Sequence, residues 1–381
     1  MSDSSYFELL PREKAPFPHR TLTTDGVSVV GSGDDSLLKV DGSALEALAY
    51  EAFKEVNYFL RPTHLAQLRH IVDDPESSGN DRYVALDLLK NANVSSGGVL
   101  PMCQDTGTAL VHAKRGHRIV TDGHDKEYIW NGIARAYRDL NLRYSQMAAV
   151  TTWNEVNTKT NLPAEIDIQF AEGDTYEFLF MAKGGGSANK SFLYQETKAI
   201  LDETRMLEFL REKIESIGTA ACPPYHLAVV IGGTSADFAM KTAKLASTHY
   251  LDSLPTTGND EGSGFRDPEF EQKVFEMTQT IGFGAQFGGK YFCHDVRVIR
   301  LPRHGASLPI GLGVSCSADR QALGKITAEG VFLEQLETDP AHYMPEAGVA
   351  EDISGGEVIS IDLNQPMADI LAELSKHPVK T

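Results

Sequence analysis

The sequence predicts an α/β fold, with a helical N-terminal region followed by a mostly antiparallel sheet flanked by helices. Three observations predict it. Leu45, Leu48, Ala49, Ala52, Phe53, Val56, Phe59 and Leu60 recur at the 3.6-residue helical period. Ile166, Ile168 and Phe170, then Tyr176, Phe178 and Phe180, alternate on either side of Glu172-Gly173-Asp174, the pattern of a β-hairpin. Beyond them, strand-like runs at 227–231 and 293–301 are separated by a helical pattern over 268–281, and an amphipathic helix over 205–217 precedes both.

Taken in order, residues 1–42 read as irregular, with Pro11, Pro16, Pro18 and a Gly/Asp cluster at 31–35. Ser43 and Glu46 form a capping box that opens the first helix. Pro62 ends it and starts a second, with Leu65, Leu68, Ile71 and Val72 on one face. Asn80 caps a third, which runs to Lys90. Residues 108–112 and 117–120 read as short strands, and a helix over 128–140 delivers Arg143. The second strand of the expected hairpin runs into Lys183-Gly184-Gly185-Gly186-Ser187-Ala188-Asn189-Lys190. Gly218 stops the 205–217 helix. After the 227–231 strand, Gly232-Gly233-Thr234-Ser235 leads into a helix to about Ser247, and 253–265 is a polar loop. The 293–301 strand ends in Pro302-Arg303-His304-Gly305, and 309–314 leads to Ser315-Cys316-Ser317-Ala318-Asp319-Arg320. Residues 1–335 are expected to form one domain, 336–366 a Pro/Gly/acid-rich linker, and 367–381 the start of a second domain. The alternative is a C-terminal helix docking back on the first domain.

Composition narrows the partners. Lys and Arg total 35 against 53 Asp and Glu, a net charge of −18, which repels nucleic acid and anionic lipid. No apolar run approaches the roughly 20 residues that span a bilayer. The first residues show neither a secretory nor a transit pattern, so a cytoplasmic protein is expected, although a removed organellar presequence would leave no trace. Four cysteines in 381 residues do not make a disulfide framework and read as reduced thiols.

Three of them, Cys103, Cys222 and Cys316, sit in loops rich in Gly, Pro or small residues, whereas Cys293 lies in a strand and reads as packing. Close cysteine pairs of the zinc type are absent. Three thiolates suit an iron–sulfur cluster with one iron left open to water or substrate; the other reading is three buried structural thiols. Asp105, next but one to Cys103, suits proton transfer. Arg143 reads either as a bidentate carboxylate clamp or as a structural ion pair. The glycine loop at 183–190 reads either as an anion nest or as a flexible turn, and it matches neither a Walker loop nor a dinucleotide fingerprint.

The stretches around these residues carry a resemblance. Leu100-Pro101-Met102-Cys103-Gln104-Asp105-Thr106-Gly107, Asn141-Leu142-Arg143-Tyr144-Ser145-Gln146, Glu155-Val156-Asn157-Thr158, 182–190, 218–226, 231–235, 284–292, 301–306 and 313–320 are similar to those of the class I, iron–sulfur fumarate hydratases, from about Pro16 onward. The resemblance implies a [4Fe-4S] cluster on Cys103, Cys222 and Cys316. It implies a dicarboxylate site lined by Gln104, Asp105, Arg143, Gly186, Asn189, Lys190 and Gln195, with Asp105 and His304 as catalytic residues. His304 also reads as an ordinary hydrogen-bonded histidine. The implied reaction is reversible hydration of fumarate to (S)-malate by a homodimer. Because the family resembles two-part enzymes with catalytic groups on a C-terminal part, this chain alone is expected to bind a cluster but to be nearly inactive. Rival readings are a tartrate dehydratase or related 2-hydroxy-acid hydro-lyase, and a cluster-binding sensor or scaffold without turnover.

Overall fold

A computed structural model describes residues 6–13, 17–346 and 361–376. The N-terminal stretch that reads as irregular contains three strands: β1 (His19–Thr23), β2 (Val27–Val30) and β3 (Leu37–Val40). β1 and β2 are largely exposed, so no buried face imposes the alternation that would mark them in the sequence. α1 (Gly42–Tyr58) starts ahead of the expected cap: Asp41 holds the N-cap position and Ser43 lies inside the helix. α2 (Pro62–Asp73) begins on its proline as expected. α3 (Gly79–Ser95) is capped by Ser78 rather than Asn80, with Asp81 completing the capping box.

Asp81 does more than cap. Fully buried, it accepts from the backbone N–H of Ala285 at 2.9 Å and of Lys290 at 3.0 Å, tying the 284–290 loop to α3. A Cβ on Gly289 would stand 1.9 Å from its carboxylate, which explains glycine there. Asp81→Ala orphans these donors, so it is expected to cost about 2–3 kcal/mol, measured as a lower urea midpoint at unchanged slope.

The expected hairpin does not form. β4 (Thr108–Gly116) lies between the two strands that should have paired. After β5 (Ile119–Val120), α4 (Asp125–Asp139), β6 (Met147–Ala149) and β7 (Glu155–Asn157), β8 (Glu165–Ala171) pairs parallel with β4, and β9 (Tyr176–Lys183) pairs antiparallel with β4 on its other side. The physical reason is burial. Residues 109–113 of β4 are buried on both faces, as suits an interior strand with a partner at each edge, and Gly116 lets the Gly173 carbonyl cross within 2.5 Å of where a Cβ would sit.

The chain continues through α5 (Gly185–Asn189), β10 (Phe192–Glu196), α6 (Glu203–Glu215), β11 (Tyr225–Gly233), α7 (Ala236–Ala246), β12 (Phe265–Arg266), α8 (Pro268–Gln279), β13 (Cys293–Arg303), β14 (Leu308–Ser315), β15 (Gln321–Thr327), β16 (Gly330–Glu334) and α9 (Met367–Leu374). Two large sheets result, in strand order β1-β16-β15-β9-β4-β8 and β10-β14-β11-β13-β12. Antiparallel pairing dominates, but β4–β8, β11–β13 and β3–β5 are parallel.

The layers follow from strand alternation. Tyr176, Phe178 and Phe180 of β9 face a core built with Leu45, Leu48 and Phe53 of α1 and Ile129 and Ile133 of α4. Leu179 and Met181 face the other way, toward α7 and the Val230 and Ile299 side of the second sheet. α6 and α8 cover the far face of that sheet, where Cys293 is buried as packing and its thiol is pushed up by burial. Residues 336–344, at the start of the expected linker, lie on the domain: Leu60 bridges to Glu337, and Arg69 donates to the Met344 carbonyl at 2.9 Å. Positions 347–360 of that expectation lie outside the described residues. α9 forms where a terminal helix was expected, and it buries Ile370.

Candidate functional site

The three loop cysteines lie in connections, within electrostatic reach of one another at Cys222. Cys103 precedes β4, Cys222 lies between α6 and β11, and Cys316 follows β14. The Ser317 N–H donates to the Cys222 carbonyl at 3.0 Å, joining two of the loops. A Cβ on Gly186 would stand 2.9 Å from Cα of Ala221, so only glycine lets the 184–186 loop press against the Cys222 loop. Cys222 is exposed, and Cys103 and Cys316 are half-buried. Burial pushes the Cys222 thiol up, and the neighbouring Cys316 and Cys103 sulfurs push it further. Cys222 (φ 62°) and Asp319 (φ 36°) both hold left-handed backbone, the kind of local strain that folds retain at functional sites.

Asp105 is fixed at the centre. Its Oδ2 accepts from the Gly185 N–H at 2.7 Å, and its Oδ1 accepts from the Gly107 N–H at 3.0 Å and the Ser145 hydroxyl at 3.2 Å. Burial opposes its charge, but the Gly185 and Gly107 donors, Ser145 and the Arg320 guanidinium outweigh it, so the carboxyl is held below its ordinary range. Thr106 donates to the Arg143 carbonyl at 2.8 Å, which places Arg143 beside Asp105. Asp105, Arg143, Ser145 and Gly185 together line an open cleft of about 430 Å³.

Arg320 is the group that sequence reasoning passed over, although it stands four residues after Cys316. It is 3% exposed, and Nε, Nη1 and Nη2 are all buried with no hydrogen-bond partner among the described residues. Its Nη2 and Asp105 Oδ2 flank the point where a Gly184 Cβ would sit, at 3.2 and 3.1 Å. A buried guanidinium without acceptors is costly, so the site is shaped for an acceptor that the side chains do not supply.

Behind the Cys222 and Cys316 loops lies a buried histidine cluster, likewise unread from the sequence. His64 Nε2 donates to the Ser317 carbonyl at 3.0 Å, and its Nδ1 lies 2.9 Å from His226 Nε2. His226 Nδ1 lies 3.0 Å from Asp295 Oδ1. Burial would lower the His226 pKa, but Asp295 and Asp319 overcome it and raise it. Asp319 is held well below the carboxylate range: burial opposes this, and His226, His64, His249 and Arg61 outweigh it. Scattered over positions 64, 226, 249, 294 and 295, these residues have no short-range signature; only the fold collects them.

The other candidates are placed unequally. Gln104 is exposed beside Asp105, and Gly186 joins the Cys222 loop as described. Asn189 and Lys190 end α5. Gln195 is exposed on β10, opposite Pro309 at the start of β14. His304 is also exposed, in the turn before β14, with its Nδ1 accepting from the Ala306 N–H at 3.2 Å. The length of β14 separates that turn from Cys316, so within this chain neither Gln195 nor His304 joins the Asp105 group.

The donors test which group fits. Four tetrahedral thiolates on one ion of zinc size stand about 3.8 Å apart, from a metal–sulfur distance of about 2.3 Å. Among the described residues, Cys103, Cys222 and Cys316 form no set of ligand atoms within 4.8 Å of one another, as His64, His226 and His294 do. A single ion is therefore too small for the three sulfurs as placed, whereas a polynuclear group suits soft thiols at wider spacing. Gly186→Val tests the loop contact: overpacking against Ala221 is expected to cost about 1–3 kcal/mol and to lower iron uptake, read by thermal melting and metal analysis.

Fold and site together define a thiol-rich, anion-handling centre of α/β architecture, with a fixed carboxylate at its heart. Comparison with known proteins gives the family. Residues 46–325 match the family model described as Fumarate hydratase (Fumerase). The chain is 53% identical to the anaerobic class I fumarate hydratase of Escherichia coli strain K12, over 97% of this chain and 68% of that protein. It is 54% identical to the mitochondrial fumarate hydratase 1 of Leishmania major, over 95% of this chain and 66% of that protein. A putative L(+)-tartrate dehydratase subunit alpha of Methanocaldococcus jannaschii is 31% identical over 72% of this chain and 95% of that subunit. The chain belongs to the class I fumarate hydratases, carbon–oxygen lyases that hydrate fumarate to malate. It spans about two thirds of the length of these fumarate hydratase relatives.

Proposed function

We propose that the protein catalyses reversible hydration of fumarate to (S)-malate, and that this chain carries its [4Fe-4S] cluster on Cys103, Cys222 and Cys316. What supports the reading is that the Cys222 sulfur lies within electrostatic reach of both Cys316 and Cys103, while the 184–186 loop packs on the Cys222 loop and holds an ionised Asp105 near a buried Arg320 without acceptors. When bound, the cluster supplies a Lewis-acidic iron without a cysteine ligand.

The chain's own residues do the rest. Arg143 in the cleft holds one carboxylate of the dianion, overcoming the net charge of −18 locally. The 184–190 loop, with Gly186, Asn189 and Lys190, closes over the ligand, and Gln104 borders it. Asp105, kept ionised by backbone donors, accepts the proton of the attacking water in the hydration direction and returns it in dehydration. Arg320 holds that charge in place. We assign His304 and Gln195 no step within one chain, where the length of β14 stands between their end of the sheet and Cys316. The reading includes a homodimer. Among the described residues no helix is long and apolar enough to cross a membrane. The tartrate reading is disfavoured by its lower similarity, 31% against 53%.

The test is anaerobic reconstitution with iron and sulfide, followed by iron count, visible absorption, and turnover of fumarate and tartrate. Turnover is compared between this chain and the chain extended to its relatives' length. About four irons per chain, one oxygen-labile, and fumarate preferred over tartrate are expected. A colourless, iron-free protein sinks the proposal, and spectra unchanged by malate leave a sensor without turnover.

A further inference from the structure

A second, larger cavity of about 740 Å³ lies on the other side of the glycine loop. None of the residues assigned to the dicarboxylate lines it; Thr108 alone borders both spaces. It opens between β4 and β9 on one side and α7 with β14 on the other. Apolar side chains, Leu110, Met181, Leu245 and Val314 among them, form much of its wall.

Two polar groups in that wall have nothing to bind. Lys183 is 8% exposed and Ser187 3%, and neither the Lys183 ammonium nor the Ser187 hydroxyl has a partner among the described residues. The other lysines of the cavity are satisfied: Lys241 pairs with Asp167, and Lys244 with Glu165 at 3.1 Å. A buried ammonium and a buried hydroxyl that line one partly apolar cavity, both without a hydrogen-bond partner among the described residues, point to a missing anionic partner.

We propose that this cavity binds a small monocarboxylate with an apolar body. Its head is taken by Lys183 and Ser187, and its chain lies among Leu110, Met181, Leu245 and Val314. The charge count selects a monoanion. Among the cavity's lysines only Lys183 lacks a hydrogen-bond partner, and the carboxylates of Glu165, Asp167 and Asp237, with Asp319 close to Lys183, repel a second negative charge. The (S)-malate dianion is therefore excluded, which separates this site from the Asp105 cleft. Lys183 leads directly into Gly184–Gly186, the backbone that holds Asp105, so a bound head group abuts the catalytic loop. Lys183 also feels the Asp319 carboxylate and the Cys316 sulfur, so the cavity adjoins the proposed cluster site and the test is made on cluster-free and reconstituted protein alike.

The probe is hexanoate, titrated calorimetrically into the whole chain, both cluster-free and reconstituted, with folding checked by circular dichroism. Saturable one-site binding is expected in both forms, unaffected by a tenfold excess of (S)-malate, with hexanamide bound at least tenfold more weakly. Lys183→Met removes the charge but keeps the volume, and Leu245→Trp fills the cavity; each is expected to weaken hexanoate at least tenfold. The proposal is overturned by no saturable binding to the wild type, by equal binding of hexanamide, or by full affinity in either variant. It is also overturned if Lys183→Met strips iron from the reconstituted protein while wild type ignores hexanoate, because the missing partner of Lys183 is then the cluster beside Cys316.

Discussion

Serine at position 316 is expected to strip most of the iron from anaerobically reconstituted protein and, in the chain extended to its relatives' length, to cut turnover by about 10³-fold or more. The argument rests on ligand softness and on count. A serine hydroxyl is a hard, weakly acidic donor in place of a soft thiolate, and the two remaining sulfurs cannot hold a polynuclear group through three corners. Losing several kcal/mol of Lewis-acid assistance converts to that rate loss at about 1.4 kcal/mol per tenfold. The control is Cys293→Ala. Cys293 is 1% exposed in β13, where it pairs with Tyr225 of β11 and packs in the sheet core rather than lying in a cysteine loop, so iron content should be unchanged while stability falls slightly. Metal analysis and absorption of the two variants side by side decide the matter; full iron in Cys316→Ser refutes the assignment.

Asp105→Asn is expected to lower kcat by about 10²–10⁴-fold with iron content preserved. The carboxylate accepts three hydrogen bonds, from Gly185, Gly107 and Ser145. An amide offers one oxygen and turns a donor toward a donor, so it loses both the proton acceptor and part of the loop's anchorage. The pH profile separates chemistry from scaffolding. The folded carboxyl is held below its ordinary value, so the active ionised form persists well into acid. Wild-type kcat/KM should hold down through the ordinary carboxylate range and fall only at more acid pH, and Asp105→Asn should lose that acid limb. A variant with intact kcat would remove Asp105 from the chemistry.

The contrast between Asp81 and Arg320 shows what is legible in a single chain. Asp81 sits in a capping box four residues long, and a helix start near it was foreseen, although credited to Asn80 rather than Ser78. Arg320 was written beside Cys316 in a stretch already singled out, yet nothing local shows that its guanidinium will be buried without acceptors. The same holds for the hairpin. Alternation at 166–170 and 176–180 marked both strands correctly, but period-2 patterning states which face is buried, not which strand is the neighbour. β15 and β16 also went unread, although they pair with each other across the Ala328-Glu329 turn as well as with β9 and β1.

By itself the sequence determined the α/β class, most helices, the reduced state of the cysteines and, through the stretches around Cys103, Cys222 and Cys316, the family. Each of these is written in local spacing or composition. The tertiary structure alone decided that β4 parts the two strands, that the Asp105 charge is held by backbone donors 2 and 80 residues away in the chain, and that His304 stands at the far end of β14. It also decided that Lys183 and Arg320 are buried without partners. The reason is that desolvation and pairing depend on what folds around a side chain, and no window along the chain contains that information.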